Sequence, residues 1–546
     1  MYSCRVRVSD SAKEVELRDT DKGHLLEKSA TEMRHKYAPV IGAAILGVAL
    51  VVALFAWEGW HGFSLMDEGY LWYGIQRVMV GEVPFRDFQS YDPGRYYFSA
   101  LLMQLAGAHG IVAVRITLAI LQALSLSAVL GWLMVTCAKR QNGYYVFVCA
   151  VILATWMVPR HKLYDISISM GLVCMLACLI RRPSRTHYFA TGLLVGLAAY
   201  FGKNHGAYGL VASCGVFLYQ AVRCDSWTDW WRGIAIFGVG VIVGFLPMIA
   251  MMIFVHGFTS AFIDSIKFFL DIKATNLPLP VPWPWLAPFG TMPMVDALRV
   301  MLIGVFFVGI ILFPGMMVCH VVLARLKERS VQPLLVACAF CAIPYAHYAF
   351  SRADLPHLAQ GTFPALIGVL VLAMSMQVAA RVLMAVMLCT ISMFMTAPLH
   401  PGWQCVKHGA CERVVMGNDT LRVDNATAQD IALLRELDKR YAAAGQQFFV
   451  APFMPGAYAL LGTKSPTWEI YTGWARSDTF EQSEIERIKS SRPAFVLIYD
   501  FPLDGRDALR YRNTHPLIEQ YIHANYACVN GFTDNPAYQI YRPKGS

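Results

Sequence analysis

The chain has 546 residues, 56% hydrophobic and only 15% charged, with a formal net charge of +9. Soluble domains are about 45–50% apolar and about 25% charged, so this composition excludes an ordinary soluble domain and implies a polytopic membrane protein. The surplus positive charge is scattered over short loops, as topology signals are, and does not form a nucleic-acid-binding patch.

Residues 1–37 hold eight Lys/Arg and seven Asp/Glu with little periodicity and read as a cytoplasmic tail. A first apolar span at 38–57 has the roughly 20 residues needed to cross a bilayer. Its long polar lead marks a retained anchor, not a removed signal peptide. Ten further spans are expected at about 111–137, 144–159, 166–180, 188–202, 206–222, 233–255, 298–324, 333–350, 359–377 and 382–398, eleven in all. Residues 95–110 are apolar too, but are taken to lie along the outer membrane surface. Counting them as a span would put Lys139-Arg140 and Arg181-Arg182 outside, against the positive-inside rule. The N-terminus is then inside and the region after the last span outside.

From about residue 402 ordinary polarity returns. Residues 427–444, 480–489 and 516–524 read as helices, and 448–451, 495–499 and 538–541 as strands. The expected fold is a polytopic α-helical membrane protein of about eleven spans. It divides into a tail (1–37), a membrane part (38–401) with a catalytic outer loop (58–110), and an extracytoplasmic α/β domain (402–546). Most of the fourteen cysteines sit inside apolar spans as small buried hydrophobes. Cys405 and Cys411 lie beyond the last span and would form a small disulfide loop if that side is oxidising.

The loop after the first span carries Glu58, Asp67, Glu68, Glu82, Asp87 and Asp92 among many aromatic residues. A carboxylate pair such as Asp67-Glu68 at a membrane edge is costly unless it is solvated or used. On this topology the same face collects Arg160, His161, Lys162 and Asp165, then Lys203, Asn204 and His205. Asp264, Lys267, Asp271 and Lys273 follow, and last Arg352, Asp354 and His357. Acids and bases from distant segments on one face suit an anionic, partly lipidic substrate. Each has a plainer reading. Asp67, Glu68 and Asp165 suit helix caps, Lys203 and His205 suit hairpin loops, and Arg352 and His357 suit snorkelling at the interface. Arg86 and Arg95 suit pairing with Asp87 and Asp92. A P-loop, HExxH, GxSxG and a voltage-sensor ladder are missing from the sequence.

Asp67-Glu68, Gly81-Glu-Val-Pro-Phe-Arg-Asp87, Pro93-Gly-Arg-Tyr-Tyr-Phe98, Asp165, Lys203-Asn-His-Gly and Arg352-Ala-Asp-Leu-Pro-His357 follow one another in the chain. That series resembles the GT-C class of polyprenyl-phosphate-sugar-dependent membrane glycosyltransferases. It is most similar to bacterial relatives of the protein O-mannosyltransferases and the lipid A aminoarabinose transferase. The C-terminal stretches APFMPGAYALLGTKSPT and PAFVLIYDFPLDGRD extend the likeness. Many relatives have Lys-Pro-Pro or His-Pro-Pro where this chain has Tyr91-Asp-Pro-Gly-Arg95. The resemblance implies inverting transfer of a sugar from a polyprenyl-phosphate donor to a glycan, lipid or protein acceptor, at the outer face of the cytoplasmic membrane. It implies Asp67 as general base with Glu68 as the substitute. Lys203 and Arg352, with His205, His357, Asp165 and Arg95, would bind donor phosphate or substrate. No cofactor is assigned by the resemblance, and a divalent metal, if one takes part, would fall to Asp67 and Asp165. A transporter or flippase of envelope glycolipids is the alternative.

Overall fold

In the computed structural model residues 38–136, 143–407, 411–443 and 445–545 are described. The tail 1–37 and the Lys139-Arg140 loop lie outside them. The membrane part runs α1 (Ala38–Glu58), α2 (Asp67–Met79), α3 (Pro93–Leu105), α4 (Ile111–Thr136), α5 (Gly143–Trp156), α6 (Leu163–Arg181), α7 (Arg185–Phe201) and α8 (Lys203–Ala221). It continues through α9 (Trp227–Phe254), α10 (Phe258–Asp271), α11 (Met294–Leu326), α12 (Pro333–Ser351), α13 (Leu355–Gly361), α14 (Phe363–Met374) and α15 (Val378–Thr396).

All eleven expected segments are helical, and the protein is a multi-pass membrane protein. By length and composition alone, seven helices among the described residues are long and apolar enough to cross a membrane, short of the eleven expected. α5 has only 14 residues and α7 only 17. α8 opens on Lys203, Asn204 and His205. The tenth segment is bent by 61° between α13 and α14, and counting that pair as one span gives eight.

α7 and α9 pack in parallel through glycine pairs four residues apart, Gly192/Gly196 on one and Gly240/Gly244 on the other. A Cβ on Gly192 would be driven into the Phe237 carbonyl, on Gly196 into the Val241 carbonyl, and on Gly244 into the Leu193 carbonyl. Two helices come this close in lipid only where side chains are missing, because backbone contact supplies the attraction that the hydrophobic effect supplies in water.

The C-terminal region continues with α16 (Gln404–Lys407), α17 (Asn425–Tyr441), α18 (Pro455–Leu461), α19 (Asp478–Ser491), α20 (Tyr511–Thr514) and α21 (Pro516–Asn525). Its strands are β1 (Cys411–Met416), β2 (Asp419–Asp424), β3 (Phe449–Ala451), β4 (Val496–Tyr499), β5 (Tyr526–Val529) and β6 (Tyr538–Pro543). β1 and β2 form an antiparallel hairpin, and the other four make a mixed sheet in the order β3-β4-β6-β5. The sequence reading missed the hairpin and β5. Glu412, Arg413 and Arg422 dilute the alternation of the hairpin, and β5 has four residues. Cys405 and Cys411 are disulfide-bonded. The region docks on the first loop where α18 meets α2. A Cβ on Gly69 would strike the Gly456 Cα, so the two helices touch backbone to backbone.

Two outcomes follow from this packing. Gly196→Leu should separate α7 from α9 and lower the melting temperature in detergent, by at least the ~1–3 kcal/mol typical of overpacking. Gly238→Leu on α9, with nothing within 4 Å of its Cβ position, should melt as wild type. In α19, burial raises the Glu484 carboxyl from 4.5 to about 7. The folded state therefore keeps a proton that the unfolded chain gives up, and stability falls as pH rises from about 4.5 to about 7. Glu484→Gln should flatten the dependence of melting temperature on pH across that window.

Candidate active site

Asp67 is the first residue of α2, and the N-cap position is Met66, with no side-chain cap bond. The Asp67 amide donates to Ser64 Oγ at 3.1 Å. The capping reading therefore does not apply to Asp67, whose carboxylate points elsewhere. Its Oδ1 accepts from Tyr471 Oη at 3.3 Å, and its Oδ2 lies 4.0 Å from His161 Nε2 with the side chain 42% exposed.

Glu68 turns the opposite way. It accepts from Arg115 Nε at 2.7 Å and Nη2 at 2.8 Å, and Arg160 stands 3.6 Å off. Burial alone would raise this carboxyl, but Arg115 and Arg160 outweigh it and hold it at about 2. Arg115 also donates to the Gly59 and Gly62 carbonyls, and Arg160 to those of Glu58 and His61. One carboxylate is thus a structural tie for the loop, and its neighbour faces open space. Arg115 was not singled out from the sequence. The signal was an arginine in the first turn of an otherwise apolar span, where an ionisable group needs a partner.

Beneath the loop, Asp165 in α6 is 1% exposed and receives Arg95 of α3 through both terminal nitrogens, at 2.9 and 2.6 Å. His205 Nε2 of α8 bonds the same carboxylate, and His205 Nδ1 meets Tyr345 Oη of α12 at 2.9 Å. Arg95 Nε donates to the Phe201 carbonyl at 2.7 Å. Arg95 therefore does not pair with Asp92. That partner falls to Lys203, whose Nζ is 3.4 Å from Asp92 Oδ1. Arg86 does pair with Asp87, at 2.8 Å.

Tyr91 stands between these groups. Lys162 Nζ donates to its hydroxyl at 3.1 Å and lies 4.3 Å from its ring centre, and Arg95 stacks on the same ring at 4.9 Å. Tyr91 is edge-on to Tyr70 at 4.9 Å, and Tyr70 to Tyr471 at 5.7 Å. On the other side, Tyr348 lies 5.7 Å from the His205 ring and 6.3 Å from the His357 ring. His357 Nδ1 bonds Asp354 Oδ1 at 2.6 Å. Arg352 pairs with Asp354 at 2.8 Å and with Asp504, from the C-terminal region, at 2.9 and 2.5 Å. Arg352 is thus held by ion pairs and is not a free interface cation. Asp67, Arg95, Asp165, His205, His357 and Arg352 form one chain of contacts through Tyr471, Tyr70, Tyr91 and Tyr348. Asp264 and Lys267 pair with each other on the exposed face of α10, and Asp271 and Lys273 are exposed.

The donor set does not fit a metal shared by Asp67 and Asp165. Both Asp165 oxygens are taken by Arg95, and among the described residues no group of three or more His, Cys, Asp or Glu is placed to hold an ion. An apolar groove of about 750 Å³ opens between α11 and α12. It runs from Val322 and Leu323 to Phe350, two residues from Arg352.

No protein-family model and no curated relative matches the chain. Among solved structures, ArnT from Cupriavidus metallidurans in the apo state superposes with a TM-score of 0.51 at 13% identity. It covers 92% of this chain and 98% of that one. The oligosaccharyltransferase of Archaeoglobus fulgidus in its apo form gives 0.49 at 11% identity, over 90% and 73%. At such identity the ArnT likeness is one of fold alone, a polytopic helical membrane part followed by a C-terminal region with small sheets.

The Glu68 tie has a measurable cost. Arg115→Met leaves a buried carboxylate without its fork and should destabilise the protein by about 3–5 kcal/mol. Arg115→Met combined with Glu68→Leu should recover much of that in a detergent melt.

Proposed function

We propose that this protein transfers a sugar, with inversion, from a polyprenyl-phosphate-linked donor to an envelope acceptor at the outer face of the cytoplasmic membrane. The observation that carries this reading is the division of labour between Asp67 and Glu68. A half-exposed carboxylate stands beside a buried one already consumed by Arg115 and Arg160. The GT-C fold supports the reaction class. The orientation it needs, N-terminus inside and C-terminal region outside, rests on the distribution of Lys and Arg.

An acceptor hydroxyl becomes a competent nucleophile when a carboxylate within hydrogen-bond reach takes its proton. In this mechanism Asp67 is that base. The acceptor oxygen attacks the anomeric carbon as the bond from that carbon to the phosphate oxygen breaks. The polyprenyl phosphate departs with the bonding pair as a phosphate monoester. One displacement gives inversion and needs one base, unlike the two-carboxylate retaining route. Glu68 is set aside as substitute base, because both its oxygens accept from Arg115 and Arg160 stands 3.6 Å off.

The leaving phosphate needs cations. Lys203 and Arg352 are assigned to it, with Lys162 as a third. The Lys162 ammonium bonds a phenol and not a carboxylate. Arg352 takes up phosphate by exchanging Asp504, since a phosphate and a carboxylate offer the same paired oxygens to a guanidinium fork. Asp165, Arg95, His205 and His357 hold the floor on which the sugar rests. The apolar groove beside Phe350 receives the lipid tail.

Mass spectrometry of envelope lipids and glycans, with and without the protein, should reveal a sugar lost from one acceptor class. With that acceptor in hand, Asp67→Asn should lower turnover by about 10²–10⁴-fold. Asp67→Asn, which keeps an acceptor for Tyr471, should melt as wild type, and Asp67→Ala should lose about 0.5–1.5 kcal/mol for that one hydrogen bond and nothing for a cap. Near-normal transfer by Asp67→Asn would remove Asp67 as the base.

A further inference from the structure

The β1–β2 hairpin presents two arginines directly opposite each other. Arg413 pairs with Arg422 in the register, between Val415–Thr420 and Cys411–Asp424. Both side chains are exposed, whereas Val414, Met416, Leu421 and Val423 are buried on the other face. Among the described residues neither arginine makes an ion pair, unlike Arg115, Arg160, Arg352 and Arg512. The nearby aspartates are committed elsewhere. Asp424 accepts from Thr427 at the start of α17, and Asp419 accepts from the Val112 amide. Strand alternation turns Glu412 toward the opposite face. Like charges directly opposite on neighbouring strands are destabilising, so the hairpin bears a cost that an anion between the two guanidiniums removes.

The position of the hairpin fixes what that anion is. The Arg422 amide donates to the Trp60 carbonyl and the Gly62 amide to the Arg422 carbonyl, both at 2.8 Å. The hairpin is thereby stitched to Trp60 and Gly62, within four residues of the end of membrane helix α1. The Cys405–Cys411 bond ties its other strand to the segment after membrane helix α15. Around it Trp60, Trp403, Val406 and Val415 are exposed, the amphipathic and apolar side chains that settle at the headgroup level of a bilayer. We infer that Arg413 and Arg422 form a binding site for the phosphate of an anionic membrane phospholipid, held at the level where α1 and α15 leave the hydrocarbon. Arginine suits this role because its planar fork pairs two donors with two phosphate oxygens.

The test uses the full chain purified in a neutral detergent, with phosphatidylglycerol or phosphatidylcholine added to the micelles and the melting temperature as readout. Phosphatidylglycerol should raise the wild-type melting temperature and phosphatidylcholine should not. Each arginine near an anionic lipid surface is worth about 1 kcal/mol, a factor of roughly five in partitioning. Arg413→Gln should therefore shift the phosphatidylglycerol titration about fivefold, and Arg413→Gln with Arg422→Gln about 25-fold. The doubly substituted protein without lipid should melt at or above wild type, since a repulsion has been removed. An unchanged titration in either variant overturns the assignment. So does an equal response to phosphatidylcholine, or inorganic phosphate acting as well as the lipid. Transfer activity is not part of the readout, so the outcome stands apart from the proposed reaction.

Discussion

Everything at the site depends on a carboxylate that has no access to water. Removing an ion from water costs several kcal/mol even after relaxation, and the cost is met only when the geometry of its partners is good. Asp165 meets that condition with both nitrogens of the Arg95 fork and with His205. Those partners come from α3 and α8, and His205 passes the constraint on to α12 through Tyr345. A single buried charge therefore fixes the mutual position of four helices. It also explains the bend at the start of α8, where Gly202 is extended and Lys203 begins a new helix. The chain must turn there to bring His205 inward.

The helices were legible because apolar length is a strong signal. The residues of the site were legible as a set, because ionisable groups are rare in so apolar a chain. Their partners were harder to read. Arg95 was expected beside Asp92, three residues away, and is found on Asp165, seventy residues away. Spacing along the chain shows which local pairs are available, but desolvation favours the better-enclosed distant one. Asp67 and Glu68 look interchangeable as letters. They differ because α2 begins at Asp67, so consecutive side chains leave the helix about 100° apart, one toward Tyr471 and the other toward Arg115. Tyr471 carried no signal, and Asp504 lay in a stretch that supported the family likeness without marking it as a partner of Arg352. Their importance comes from the C-terminal region folding back over a loop some four hundred residues earlier in the case of Tyr471.

The tyrosines deserve a physical account. Tyr70, Tyr91, Tyr348 and Tyr471 line the contact chain from Asp67 to Arg352. Each offers an apolar ring with a polar tip. That combination excludes water while accepting cations on the ring face, as Lys162 and Arg95 do on Tyr91. Such a lining keeps charges from being screened without asking for more ion pairs.

Among the many contacts that fasten the C-terminal region to the membrane part, two are of opposite character. At Gly69 and Gly456 backbone rests on backbone, with no side chain able to yield. At Arg352 and Asp504 the tie is a pair of charges that added salt or a competing anion weakens. The two respond differently to conditions: raising the ionic strength loosens the arginine pair and leaves the glycine contact, and the bonds of Gln89 to Ile470 and Tyr471 beside it, as they are.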